Sequence, residues 1–217
     1  MNHQMNIPKA LRQHILAILA DYKTHVLARY PRFLSSYERD YHIFEKFQTL
    51  LADTTAPTSI SSSLPGHITV SAWVIDDSLQ RFLLCYHKKI AKWIPLGGHF
   101  EPSLDQSLFA GALREVSEES GIAQKHLMGL KEGGDILPFD MDIHTIAAHQ
   151  HQEEHFHYDV GFVLIAKDIN LQPSEELHDV RWVAGKDIRS LTSEYATIRQ
   201  KLKIEWLLSQ AGTLKPS

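Results

Sequence analysis

The chain has 217 residues, 43% hydrophobic and 22% charged, with 11 Gly and 9 Pro, a composition that excludes disordered, collagenous and coiled-coil chains. Its length fits one domain, or one of ~150 residues with an appendage. Lys and Arg number 22 against 26 Asp and Glu, a net charge of −4, so no global basic field exists to hold duplex nucleic acid, and an anionic small molecule needs a bridging cation or a local patch.

Pro8 stands at a first helical position, and Leu11, Ile15, Ile18, Leu19, Tyr22 and Val26 follow at helical spacing, predicting an amphipathic helix over about 9–28. Its run Ile15–Ala20 is far short of the ~18 apolar residues of a membrane span and lacks the flanks of a signal peptide, so the chain reads as cytoplasmic with no membrane partner. Tyr30-Pro31 ends this helix. Ser35-Ser36-Tyr37-Glu38 offers a capping box, after which Tyr41, Phe44, Phe47, Leu50 and Leu51 make one face of a second helix to about Asp53. Residues 1–53 thus read as a helical hairpin extension. Its stripe must be buried either in cis or in a homodimer, and the pattern leaves both open. Nine of the twelve residues 54–65 are Ser, Thr or Pro, the composition of a linker.

From Gly66 the period becomes two: Ile68, Val70, Ala72 and Val74 alternate with Thr69, Ser71, Trp73 and Ile75, and Asp76-Asp77-Ser78 turns the chain into Arg81–His87. The single cysteine, Cys85, lies in the apolar run 82–86 and reads as a buried, inert thiol in a reducing compartment. Pro95-Leu96-Gly97-Gly98 reads as a glycine-rich loop, followed by a helix from about Ser107 to Ser120 with Gly121 at its end. His155–Phe162 alternates as a half-buried strand that continues through Ile165, Arg181–Val183 is a short strand, and Ser193–Ser209 closes as a helix with Ile198, Leu202, Ile204, Trp206 and Leu207. Residues 66–210 therefore form an α/β or α+β domain.

Chemistry concentrates in Arg114-Glu115-Val116-Ser117-Glu118-Glu119-Ser120-Gly121-Ile122. On a helix, Leu108, Phe109, Ala112, Leu113 and Val116 make the buried stripe, and Glu115, Glu118 and Glu119 share the adjoining arc. Like charges at these spacings cost ~0.2–0.5 kcal/mol per pair, so a counter-charge is expected. Arg114 is one candidate. A divalent cation is another: Mg²⁺ takes one or two carboxylates together with substrate phosphates. Taken alone, such a string is more often a solvated face.

With Gly97-Gly98 upstream and Gly121-Ile122 downstream, the stretch resembles the Nudix box of the Nudix hydrolase superfamily, whose pattern runs G, five residues, E, seven residues, R-E-hydrophobic-x-E-E-x-G-hydrophobic. The second half matches throughout. The first half departs: the place for the leading glutamate falls on Leu104 counted from Gly98 and on Gln106 counted from Arg114, so the loop carries about two extra residues, and Asp105 or Glu101 is the substitute. The phrases Gly66–Val74, Leu96–His99, Asp140–His144 and His155–Val160 are similar to a bacterial Nudix subgroup with a helical N-terminal extension.

The resemblance implies an α/β/α sandwich with a mixed sheet, preceded by the hairpin, and hydrolysis of a phosphoanhydride in a nucleoside diphosphate linked to another moiety. It implies Mg²⁺ or Mn²⁺ on Glu115, Glu118 and Glu119, in-line attack of water, Glu115 or Glu118 as base, and Arg114 orienting the glutamates. Gly97, Gly98, His99 and Glu101 are expected to meet metal or substrate, and Glu175 or Glu176, in the loop before the last strand, offers a further base or substrate contact. Among 14 histidines, His144, His149, His151, His155 and His157 crowd one span. Strand alternation puts His155, His157 and Asp159 on one face. That face reads as substrate-facing, with a solvated face and a dedicated transition-metal site as the alternatives. Trp73, Trp93, Phe100 and Tyr158 are candidates for base stacking. Two rival functions are a nucleotide sensor whose altered loop has lost turnover, and an isomerase of isopentenyl-diphosphate type, which needs an active-site cysteine that Cys85 in its apolar strand does not match.

Overall fold

The computed structural model describes residues 7–26, 30, 37–52, 66–87, 91–132, 135–148, 153–172 and 179–210. Helix α1 (Lys9–Asp21) runs into a π-helical turn (Tyr22–Val26), and α2 (Tyr37–Ala52) follows. Then come β1 (Gly66–Asp76), β2 (Arg81–His87), β3 (Lys92–Ile94), β4 (Leu96–His99), α3 (Leu108–Ser120), β5 (Leu127–Gly129), β6 (Lys131–Glu132), β7 (Asp135–Ile136), β8 (Asp140–Ile146), β9 (His155–Ala166), β10 (Val180–Ala184), the single turn α4 (Ile188–Leu191) and α5 (Tyr195–Gln210).

The main sheet is mixed, as expected. Its path is β10-β2-β1-β9-β5, with β3 on β2, β4 on β1 and β8 on β9; β6 and β7 form a separate ribbon. The central pair β1–β9 is parallel over eleven residues, Gly66 with Phe156 through Asp76 with Ala166. Buried on both faces, this pair loses the simple in-out alternation at its far end, where Ala72 to Asp76 are all buried. One face, carrying Ile68, Val70, Tyr158 and Phe162, packs against α3 through Phe109 on Phe162 and against α2 through an edge-on contact of Phe47 with Tyr158. The opposite face carries Trp73, whose indole N–H donates to Gln200 on α5. Helices on both faces make the α/β/α sandwich. No described helix is long and apolar enough to cross a membrane.

The hairpin buries its stripe in cis. Ile15, Leu19, Tyr22, Phe44, Phe47 and Leu51 join the core of the sheet domain, Arg12 donates to the Leu51 carbonyl, and the Tyr30 hydroxyl donates to the Phe139 carbonyl. Pro8 caps α1 from one position outside, its carbonyl accepting from Arg12, so the helix starts at Lys9. Ser35, Ser36 and the linker 54–65 lie outside the described residues.

Two expectations are corrected, and one strand went unread. Gly97 and Gly98 are not loop: they sit in β4, paired with Ser71 and Val70 of β1. Asp140–Ile146 is a seven-residue strand that its mixed polarity concealed. The inward face of α5 is largely polar, with Arg199, Gln200, Lys201 and Lys203 buried beside Ile204 and Leu207. The reason is Asp140, fully buried on β8, which accepts from both terminal nitrogens of Arg199, from Gln200 and from Lys203. A buried carboxylate needs such partners, and a hydrophobic period cannot reveal them.

Candidate active site

The helix α3 starts where Ser107 accepts the Ala110 N–H and ends at Gly121, whose left-handed φ of 77° lets its N–H reach the Ser117 carbonyl. A Cβ there would lie 2.6 Å from the Gln172 carbonyl oxygen, so a side chain is excluded sterically as well. Leu108, Ala112 and Val116 are buried beneath the helix, which turns Glu115, Glu118 and Glu119 toward the edge beside β4.

Arg114 organises that edge. Its Nε and Nη2 grip Asp105 in a two-point clamp, both at 2.9 Å. Nη1 donates to Glu115 at 2.9 Å and to Glu118 at 3.1 Å, and Nη2 also donates to the His99 carbonyl at 2.9 Å. All five donors of the guanidinium are thereby used, so Arg114 is a positioning residue. Asp105, only 3% exposed, also accepts the Glu101 N–H at 2.8 Å and so closes the loop after β4. The lengthened loop therefore supplies its carboxylate from Asp105, while Glu101 takes part through its backbone. Pro8 and, on α1, Leu11 and His14 share a groove with this loop, so the hairpin abuts it.

The carboxylates lie directly on β4. Glu119 accepts the Gly97 N–H at 2.9 Å. Half-buried Glu115 rests on Gly98, where a Cβ would fall 2.6 Å from its Oε2; glycine is needed for that approach. Burial raises the Glu115 carboxyl above its ordinary range, and Arg114 opposes the rise. Glu118 is the exposed member, with 60% of its side chain accessible.

A second group occupies the other face of the sheet. The β1–β9 register sets His67 beside His157 and Thr69 beside Asp159, and β8 adds His144 opposite His157. His99, opposite Thr69, points to this same side, its ring 4.5 Å from His67 and 5.5 Å from His157. Half-buried Asp159 accepts from Thr69 at 2.9 Å and Ser71 at 2.6 Å, while loss of water raises its carboxyl. Burial and the surrounding imidazoles hold His67 down to about 3 and His157 down to about 2. His144 goes the other way, raised by its contact with Asp142.

The structure thus gathers Gly97, Gly98, Glu115, Glu118 and Glu119 around Arg114, and sets His157 and Asp159 on the opposite face, with His99 linking the groups through its carbonyl. Glu175 and Glu176 lie outside the described residues. Trp73, Trp93, Phe100 and Tyr158 are buried and serve as packing. Cys85 is buried in β2, its thiol pushed well up by burial, and so is not the active-site cysteine that the isomerase reading needs. His67 escaped sequence reading. Its signal, period two with Thr69 and Ser71, was present, but the register that brings β1 to β9 was not.

Comparison with known proteins agrees with this geometry. A family model, the NUDIX domain, matches residues 65–204. Comparison with curated protein sequences finds no match. Among solved structures, a NUDIX-family hydrolase from Clostridium perfringens is 20% identical, aligned over 65% of this chain and 97% of its own, with a TM-score of 0.50. The NUDIX domain of Shewanella oneidensis NrtR, solved in complex with ADP ribose, is 16% identical over 74% of this chain and 97% of its own, also at 0.50. These two likenesses speak for the fold, and the family match covers well over half of the chain: it belongs to the Nudix family.

Proposed function

We propose that the chain hydrolyses the phosphoanhydride of a nucleoside diphosphate linked to another moiety, with Glu115, Glu118 and Glu119 holding Mg²⁺ or Mn²⁺. The observation that carries this reading is the convergence of Glu115 and Glu118 on one nitrogen of Arg114, beside Glu119 on the Gly97 amide. The donors are all carboxylate oxygens, which fits a hard cation. Bound there, such a cation supplies neutralisation of the diphosphate and a more acidic water.

The chain's own groups do the rest. Asp105 and Arg114 hold the carboxylates in place before substrate arrives, so little reorganisation is left for the reaction. Exposed Glu118 takes the proton of the attacking water, and Glu115, raised by burial, keeps its contact with Arg114. Glu115 resting on Gly98 and Glu119 accepting from the Gly97 amide seat the carboxylates against β4. ADP-ribose, the ligand of the NrtR domain structure, is one candidate substrate.

The test is a panel of nucleoside triphosphates, dinucleoside polyphosphates, nucleotide sugars, CDP-alcohols and ADP-ribose, incubated with Mg²⁺ or Mn²⁺ and read by chromatography of nucleotide products. The reading predicts metal-dependent release of a nucleoside monophosphate or diphosphate from one class. Tight binding of a panel member with no product contradicts it and leaves a nucleotide sensor.

A further inference from the structure

We propose that His67, His99 and His157 form a binding site for a divalent transition-metal ion, zinc foremost, separate from the carboxylates of α3. One nitrogen from each of these three rings lies within 4.8 Å of the others, and among the described residues this is the group of three metal-capable side chains drawn so close. Three adjacent strands supply them: His67 from β1, His157 beside it on β9 and His99 from β4. The Nε2 of His67 is buried and has no hydrogen-bond partner among the described residues, a costly state for an imidazole nitrogen unless it serves as a ligand.

The surroundings fit a metal site. His155, 2% exposed, has its ring 5.0 Å from His67 and 5.4 Å from His157. Its Nδ1 lies 2.8 Å from the Glu153 carbonyl and must donate to it, which leaves Nε2 as the nitrogen with the lone pair. A carbonyl fixing the tautomer in this way is the usual support of a metal-binding histidine. His144 borders His157 and is tied to Asp142 at 3.3 Å, but the group whose ligand atoms lie within 4.8 Å of one another is His67, His99 and His157.

Imidazole nitrogen selects zinc, cobalt or nickel over magnesium, the reverse of the oxygen donors on α3. Tetrahedral zinc holds nitrogens at ~2.0–2.1 Å, hence ~3.4 Å apart, and rotation of exposed His99 supplies the closure. Three protein ligands leave a fourth position for His155 or for water.

The proposal rests on the imidazole geometry alone and stands whether or not the phosphoanhydride reading does. Its test uses the full chain stripped of metal, with Glu115, Glu118 and Glu119 all changed to Gln to remove the carboxylate site, and Co²⁺ and Zn²⁺ as probes. Titration should give one Co²⁺ per chain, with visible absorption of four-coordinate cobalt displaced by Zn²⁺ at a dissociation constant of ~1 µM or below. His99→Ala and His157→Ala should each weaken binding ~100-fold, and Zn²⁺ should raise the melting temperature of the parent but of neither variant. His99 is exposed, so its variant keeps the fold and preserves the test if His157→Ala unfolds. Absence of cobalt uptake in the triple-Gln chain, or unchanged affinity in His99→Ala, overturns the proposal.

Discussion

Replacing Asp140 by Asn tests the buried charge network that ties α2, β8 and α5 together. The wild-type carboxylate is fully buried and takes Arg199 at 2.8 and 2.6 Å, Gln200 at 3.0 Å and Lys203 at 2.6 Å. Lys203 is itself fully buried, and its other anion, Asp40, is 3.6 Å away. The amide keeps the shape but not the charge, so two buried cations lose their main partner. Breaking such a pair costs ~3–5 kcal/mol. At ~2–4 °C per kcal/mol for a chain of this size, the melting temperature should fall by ~6–20 °C. Urea unfolding and calorimetry at pH 7 measure both quantities. The pH dependence has a defined sign: the cations hold the Asp140 carboxyl below its ordinary value, so its contribution is complete above the unfolded value near ~3.9 and declines as pH falls toward the folded one. The gap between wild type and Asp140→Asn should therefore be full at pH 7 and 5 and narrow only below ~4. A loss under ~1 kcal/mol at pH 7 would refute the reasoning, since it would mean that the cations are solvated or otherwise paired.

Other outcomes follow from individual contacts. Asp76 is buried and accepts from Ser78, from the Gln80 and Arg81 amides and from the Arg81 side chain; burial favours the neutral acid, but these donors prevail and hold the carboxyl down to about 2. Its stabilisation is complete above ~3.9 and is lost as pH falls toward 2, so urea midpoints of wild type and Asp76→Asn should differ at pH 7 and converge below pH ~3. Gly98→Ala should force Glu115 aside and lower kcat ~100-fold, with circular dichroism retained. Asp105→Asn should release Arg114 and lower stability by ~1.5–3 kcal/mol while kcat falls more than KM rises. Phe47→Ala should cost ~3–5 kcal/mol at any protein concentration, because its ring is buried on Tyr158 of the same chain; a loss that depends on concentration would return the hairpin to a dimer interface.

Local signals were legible in the sequence. The spacing of Leu108, Ala112 and Val116, with Ser107 before and Gly121 after, sufficed to bound α3, and the alternation in β9 correctly separated His157 from Tyr158. The apolar stripes of α1 and α2 were readable because their partner is simply a core. What escaped depends on pairing between distant segments. Gly97 and Gly98 look like loop because glycine is rare in strands, yet Gly98 lets Glu115 of α3 lie against bare backbone, and a side chain at Gly97 would strike the Val70 carbonyl of β1. His67 meets His157 through a parallel pairing of residues ninety apart in sequence, and Asp140 meets Arg199 and Lys203 across about sixty. Neither juxtaposition leaves a periodicity, because each is set by sheet order and not by the local chain.

The central claim is that the carboxylates of α3 run a metal-dependent hydrolysis, and Glu118→Gln addresses it most directly. Glu118 is exposed and bonded only through Arg114 among the described contacts, so its amide should leave the melting temperature within a few degrees of wild type. On the substrate class found active with Mg²⁺ or Mn²⁺, the account predicts a loss of kcat of ~10²–10⁴-fold. Turnover within a few-fold of wild type in a folded Glu118→Gln chain would contradict it.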